Sequence, residues 1–506
     1  MGKNIFNSVQ VEKPKKNVFD LSHDVKMSMK MGNLTPVLVT ECVPGDSFQI
    51  GCDSLIRFAP MVAPVMHRMD VSVHYFFVPN RLTWDNWEKY IVDANTPNPL
   101  PYINYTDDFT ADQKKFLDYM GVPPNTGTGI TQALNALPLA AYQAIYNEYY
   151  RDENLVTEVD YTLADGNNTG DVVDLVKMRQ RAWEHDYFTA SLPFAQKGTA
   201  VDIPIGTIDT DVAVNFNSLE NSYIYTQGAE PGNPFTAVQI NGSAGVSTTG
   251  NPEMIAKTST LDIAPTTIND LRRAFRLQEW LEKNARGGTR YIENILMHFG
   301  VRSSDKRLQR PEYITGLKTP VIISEVLNTS ATAEEAQGNM AGHGVAVSTG
   351  KYGNYFCEEH GYIIGIMSVM PQPAYQQGIP KTYLKSDPLD FFWPSFAHIG
   401  EQPVTNNELY AYTATAEDTF GYVPRYAEYK YQPSRVAGDF RTVLDFWHLG
   451  RIFATQPALN QAFIECDPDQ VERIFAVQDG EDNLYCQIMH KIKAVRPMPK
   501  FGTPNF

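Results

Sequence analysis

A chain of 506 residues with 43% apolar and 20% charged side chains has room for two or three domains and a large core, and it is neither disordered nor membrane-like in composition. The formal net charge of −16 argues against a protein that coats DNA with its whole surface. No apolar run approaches the roughly 18 residues of a spanning helix, and the opening MGKNIFNSVQVEKPKK lacks the apolar centre of a signal peptide.

In chain order, Val25, Met27, Met29 and Met31 alternate with Lys26, Ser28 and Lys30, the period of a strand with one apolar face. A second apolar run, Val37 to Val43, ends at the turn Pro44-Gly45-Asp46, and Phe48, Ile50 and Cys52 resume the alternation. Met69, Val71, Val73, Tyr75 and Phe77 predict another strand, closed by Pro79-Asn80. Trp84, Trp87 and Ile91 recur at helical spacing, and from Ala94 a proline-rich connector follows. Thr110 to Met120 predicts a helix stopped by Gly121, and Pro138 to Arg151 a second, with a stripe of Leu139, Tyr142, Ile145 or Tyr146, and Tyr149. Residues 100–170 hold ten acidic against three basic side chains, a strongly negative stretch.

Residues 200–260 are rich in Gly, Asn, Ser and Thr, with short β-like runs at Asp211–Phe216 and Ser222–Thr226 and no helical period. Six acidic residues face one basic residue there, and the span predicts an acidic surface insertion. The clearest helix follows at 268–286, with a stripe of Ile268, Leu271, Phe275 and Leu281 and a stop at Gly287-Gly288. Ten basic against five acidic residues in 268–310 reverse the local charge. Tyr362 to Met370 predicts a buried strand, and Ile474–Gln478 with Leu484–Val495 a hairpin about Asp479-Gly480. The expected architecture is mainly β: an antiparallel sandwich with strands from both ends of the chain and long helix- and loop-containing insertions at 94–190 and 200–265.

Catalytic signatures are missing. Gly344–Lys351 (GVAVSTGK) has one residue too many between its glycines for a phosphate loop, and Tyr352 replaces the Ser/Thr that holds Mg²⁺; a turn-rich loop is the plainer reading. Cys357-Glu358-Glu359-His360 lacks a second ligand pair at zinc spacing. The five scattered cysteines predict reduced thiols, no metal or other cofactor is expected, and no carboxylate pair stands out. The residues that do suggest a partner are basic and lie at the two ends. Lys3, Lys13, Lys15 and Lys16 face only Glu12, while Lys491, Lys493, Arg496 and Lys500 face no acid in the last 18 residues. With proline and aromatic residues interleaved, such segments suit phosphates and exposed bases; solvated tails or tails bound to neighbouring subunits are the competing reading. Candidate nucleic-acid contacts are therefore Lys13, Lys15, Lys16, Lys491, Lys493, Arg496 and Lys500.

Several long blocks carry a family likeness: FDLSHDVKMSMKMGNLTPVLVTECVPGDSFQIG (19–51), LPLAAYQAIYNEYYRDENL (137–155), SLPFAQKG (191–198), LRRAFRLQEWLEKNARGGTRYIE (271–293), HFGVRSSDKRLQRPEYI (298–314), GKYGNYFCEEHGYIIGIMSVMPQPAYQQG (350–378) and PMPKFGTPNF (497–506). In wording and order they resemble the major capsid proteins of the Microviridae, gokushovirus branch, bacteriophages with single-stranded DNA. That resemblance implies an eight-stranded jelly roll and a structural, non-enzymatic role. It implies a homo-oligomeric T=1 icosahedral shell built through pentamers around circular single-stranded DNA, assembled in the host cytoplasm and found in the virion. It further implies contacts with a DNA-binding or pilot protein, no membrane insertion, and a threefold protrusion near 200–265 that meets a receptor on the bacterial surface. The competing class is a secreted carbohydrate-active or carbohydrate-binding β-sandwich, which shares architecture but not function. Deleting 200–265 is expected to spare particle assembly; electron micrographs without shells would make that span a structural element instead.

Overall fold

The computed structural model describes residues 15–92, 98–124, 129–199, 268–327, 340–350, 352–478 and 480–501, together with residue 201 and four strands of two or three residues between 212 and 256. By its contacts the chain falls into two compact units, residues 198–281 and the remainder.

The larger unit is built on two antiparallel sheets. Their strands are β1 (Asn17–Asp20), β2 (His23–Met29), β3 (Thr35–Cys42), β4 (Ser47–Phe58), β5 (Met69–Pro79), β6 (Glu312–Pro320), β7 (Ile322–Leu327), β8 (Met340–Thr349), β9 (Gly353–Phe356), β10 (Gly361–Pro371) and β11 (Leu484–Arg496). The seven-stranded sheet runs β1-β11-β4-β8-β7, with β2 also on β11 and β9 also on β4; the four-stranded sheet runs β6-β5-β10-β3. The turn between β3 and β4 has the chemistry read from sequence: the Asp46 amide donates to the Val43 carbonyl, and Gly45 takes a φ of 92° that only glycine adopts freely.

Facing residues of both sheets make one core, including Phe48, Ile50, Ile56, Ile488 and Ile492 on one side and Val73, Tyr75, Phe77, Ile363 and Met367 on the other. The four-stranded sheet is buried on its second face too. Phe76, Val78, Ile364 and Ile366 pack there against Trp84, Phe116, Leu139, Tyr142 and Ile145, which belong to a layer of helices and loops. Hence β10 is buried along its whole length, as its unbroken apolar run requires. The helix Ala111–Tyr119 in this layer starts at a capping box of Thr110 and Gln113. The helix Leu137–Ile145 ends in a π-turn, Tyr146–Tyr150, that brings Tyr149 against Phe76 and Tyr150 against His74.

One polar side chain ties the sheets together. His490, fully buried on β11, reaches across the core: its Nε2 lies 2.9 Å from the Val37 carbonyl on β3 and its Nδ1 lies 3.0 Å from the Tyr75 hydroxyl on β5. A carbonyl can only accept, so Nε2 carries the proton and Nδ1 accepts from Tyr75. Gly365 on β10 makes room for the Tyr75 ring, since a Cβ there would sit 2.8 Å from it.

Several sequence expectations need correction. The segment 474–478 is not a strand. Ile474 ends the 3-10 turns of Pro468–Ile474, Phe475 bridges to Met61, and β11 pairs with β4, β2 and β1, so the expected hairpin does not form. Asp479 lies outside the described residues. Long-range pairing with β4 over twelve residues outweighs the local turn signal. The connector after Ala94 contributes a small hairpin, Tyr102–Tyr105 with Gln132–Asn135. Gly344–Lys351 runs through β8 and is not a loop up to Thr349; Lys351 lies outside the described residues. Ile268 and Phe275 of the helix Ile268–Arg286 are 70% and 64% exposed, while Leu271 and Leu281 of the same stripe are partly buried. The 200–265 span lies almost wholly outside the described residues, apart from the short pairs Val212–Ala213 with Ile255–Ala256 and Ser222–Ile224 with Val238–Ile240.

Replacing His490 with leucine removes the imidazole acceptor of the buried Tyr75 hydroxyl and the donor to the Val37 carbonyl, and is expected to cost about 3 kcal/mol in urea unfolding. Burial holds His67, His74 and His490 at about 4, below the ordinary 6.5. These rings stay neutral in the fold while the unfolded chain takes up protons first. Their contribution is therefore complete above pH 6.5, is lost as pH falls towards 4, and amounts to roughly 3 kcal/mol per ring at most. Unfolding midpoints at pH 7 and pH 4.5 should differ accordingly, and the His490 variant should show a smaller difference.

Candidate nucleic-acid interface and subunit contacts

The two chain ends meet. Asn17 on β1 pairs with Arg496 on β11, so both basic tails leave the seven-stranded sheet at one edge. The Asn17 side-chain amide donates to the Met498 carbonyl at 2.6 Å, and the Lys16 ammonium donates to the Gly45 carbonyl at 2.6 Å while lying over the Phe356 ring.

The expected basic contacts then divide into two groups. Arg496 is structural: its guanidinium donates to the Glu41 carbonyl at 2.6 Å, lies 3.4 Å from the fully buried Asp46 carboxylate and covers the Phe48 ring. Lys491 forms an ion pair with Asp53 on the neighbouring β4. Lys493, Lys15 and Lys500 are exposed, with Lys493 opposite Asp20 on β1. The Asp20 carboxyl is held below its usual value mainly by hydrogen bonds from Ser22, with Lys493 a smaller influence. Lys13 lies outside the described residues.

The two sides of the larger unit differ in charge. The helical layer presents Asp108, Asp112, Asp118, Glu158, Asp160 and Asp171 to solvent. On the opposite side, the outer face of the seven-stranded sheet has no cover among the described residues; Tyr485, Val347 and Ile322 stand 52%, 64% and 71% exposed there, beside Lys26 and Arg57. Sequence reading placed Lys26 on a wet strand face but did not identify Arg57 or Tyr485. The signal was the alternation of β4 and β11, which sends Arg57 and Tyr485 outward opposite each other.

A second exposed surface is aromatic. Phe391, Phe392 and Trp393 are 54%, 50% and 50% exposed, and Tyr429 and Tyr431 lie close in sequence to the buried Tyr426 on which Phe392 packs. Exposed aromatics in such number suit contacts between subunits.

The cysteines and the Cys357–His360 cluster are taken up by packing and ion pairs. All five cysteines are free and buried. Cys357 is buried, Glu358 pairs with Lys306 at 2.7 Å, and Glu359 pairs with Arg81 at 2.6 Å. Among the described residues, no group of three or more His, Cys, Asp or Glu side chains converges on a metal position, and no helix is long and apolar enough to cross a membrane.

Residues 7–506 match the family model described as capsid protein (F protein). The chain is 34% identical to capsid protein VP1 of Chlamydia phage 1, over 99% of this chain and 98% of that one. It is 36% identical to VP1 of Bdellovibrio phage phiMH2K, covering 96% and 94% of the two chains. It is 29% identical to VP1 of Spiroplasma virus 4, again over 96% and 94%. The chain belongs to the capsid protein (F protein) family of the Microviridae, a structural protein of the virion and not an enzyme.

Proposed function

We propose that this capsid subunit is an eight-stranded jelly roll that closes, through pentamers, into a T=1 icosahedral shell around a circular single-stranded DNA genome. The strand order supports the jelly roll: β2-β11-β4-β8 form one sheet and β3-β10-β5-β6 the other, and in chain order these eight cross between sheets at every step except β5 to β6. The observation that carries the inside–outside assignment is the two-faced charge layout of the larger unit. A shell around packed DNA gains from cations within and tolerates carboxylates without. On this reading the open face of the seven-stranded sheet, with the basic tails at its edge, looks inward, and the acidic helical layer looks outward.

The exposed aromatic surface about Phe391–Trp393 is read as a contact between copies, where many modest interfaces sum over a closed shell. The acidic 200–265 span is read as the outward protrusion at the threefold axes, meeting a receptor on the host. A pilot or DNA-binding protein would share the inner space.

Purified subunits examined by sedimentation and negative-stain imaging are expected to give pentamers or closed particles; a lasting monomer that turns over glycans would instead favour the carbohydrate-active class. Reversing the charge of Lys15, Lys493 and Lys500 together should lower the DNA content of particles, read as the 260/280 nm ratio, with subunit stability unchanged. Replacing Arg496 with glutamate strands the buried Asp46 and should destabilise the subunit itself by about 3 kcal/mol. Unaltered DNA content in the triple variant would remove those lysines from the interface.

A further inference from the structure

The outer face of the seven-stranded sheet carries a site separate from the basic tails. Reading across the strands, one row of outward residues is Ser28, Tyr485, Arg57, Val345 and Ile322, on β2, β11, β4, β8 and β7. The next row is Lys26, Gln487, Leu55 and Val347. Tyr485 is half exposed although β11 is paired on both sides, by β2 and by β4, and its ring has no aromatic neighbour among the described residues. Lys26 and Arg57 are both exposed, and neither forms an ion pair among the described residues.

Spacing makes the arrangement specific. Strands lie about 4.8 Å apart and alternate residues about 6.8 Å, which puts Lys26 and Arg57 about 12 Å from each other with Tyr485 between them. Two cations so separated suit two different phosphates of one strand, not a single anion. An exposed ring between them suits a base, and Gln487 offers both a donor and an acceptor beside it. Nearby carboxylates are mostly engaged: Asp53 with Lys491, and Asp482 with Lys115 at 2.5 Å and with the Ser28 hydroxyl at 2.7 Å. Asp24, a row further along β2, stays exposed.

We propose that Tyr485, Lys26 and Arg57 form a stacking site for single-stranded nucleic acid, with Tyr485 carrying one base and the two cations holding the flanking phosphates. It rests on the reading that this face looks towards single-stranded DNA, but it assigns the contact to the middle of the sheet and not to the tails. Backbone charge and base faces are the only features used, so binding is tolerant of sequence and indifferent to whether the strand is circular.

The test uses the full chain as unassembled subunits and a fluorescein-labelled mixed-sequence 20-mer of single-stranded DNA, with anisotropy read over a salt series. Tyr485→Ser should weaken binding about 5- to 150-fold, the range for losing one stacked base, and Tyr485→Phe should restore it. Lys26→Gln with Arg57→Gln should flatten the log–log salt dependence by about 1.4, two phosphates at 0.7 each. A 20-mer carrying 5-bromodeoxyuridine should photo-crosslink to the peptide that contains Tyr485. Parental affinity in Tyr485→Ser together with a parental salt slope in the Lys26→Gln, Arg57→Gln variant, or crosslinks confined to the tails or to the aromatic surface at Phe391–Trp393, would overturn the site. Parent subunits that form closed particles yet do not bind the 20-mer would also overturn it and leave the shell reading standing; failure of both would remove the shell reading as well.

Discussion

The architecture turns on a sheet that cannot face water on either side. Strands β5 and β10 are buried on both faces along almost their whole length, so the four-stranded sheet requires two covers. One is the seven-stranded sheet, joined through a shared core and through His490. The other is the layer of helices and loops whose Phe116, Tyr142 and Ile145 fill the far side. Once both covers are in place, the outer face of the seven-stranded sheet is left uncovered among the described residues. The sidedness expected of a wall tile follows from the burial requirement of a few strands.

The polar bridge at His490 matters because a sandwich core is otherwise non-directional. Apolar side chains from two sheets can slide past one another at little cost, whereas a ring that donates to Val37 and accepts from Tyr75 fits one register only. Its neutrality is part of that fit: a protonated ring has two donors and could not accept from the tyrosine. A shell of many identical subunits benefits from such register control, since small errors in each tile would accumulate around a closed surface.

Much of the sandwich was legible in the sequence. The alternation of Val25, Met27 and Met29, the Pro44-Gly45-Asp46 turn and the unbroken run from Tyr362 to Met370 each correspond to what forms. These are local signals backed by burial, and pattern alone carries them. The hairpin at Asp479-Gly480 was misread because a strong turn dipeptide says nothing of which distant strand competes for the pairing. The stretch between β10 and β11 shows no helical or strand period in the sequence. It is largely irregular chain with short 3-10 and α-turns around one hairpin, Glu401–Thr405 with Thr419–Pro424, held by ion pairs such as Lys381 with the buried Glu408 that have no sequence period. At the basic ends, composition revealed the charge but not its use. Only the fold separates Arg496, locked on Asp46, from Lys493 and Lys500, and only the register places Tyr485 between Lys26 and Arg57.

The most direct measurement of the central claim is the radial orientation of the subunit in assembled, DNA-filled particles, read from a cryo-electron-microscopy reconstruction. The account predicts the outer face of the seven-stranded sheet on the lumen side, with nucleic-acid density against it, and the acidic helical layer on the exterior. A reconstruction with the helical layer lining the lumen, or with the seven-stranded sheet exposed outside, would contradict it.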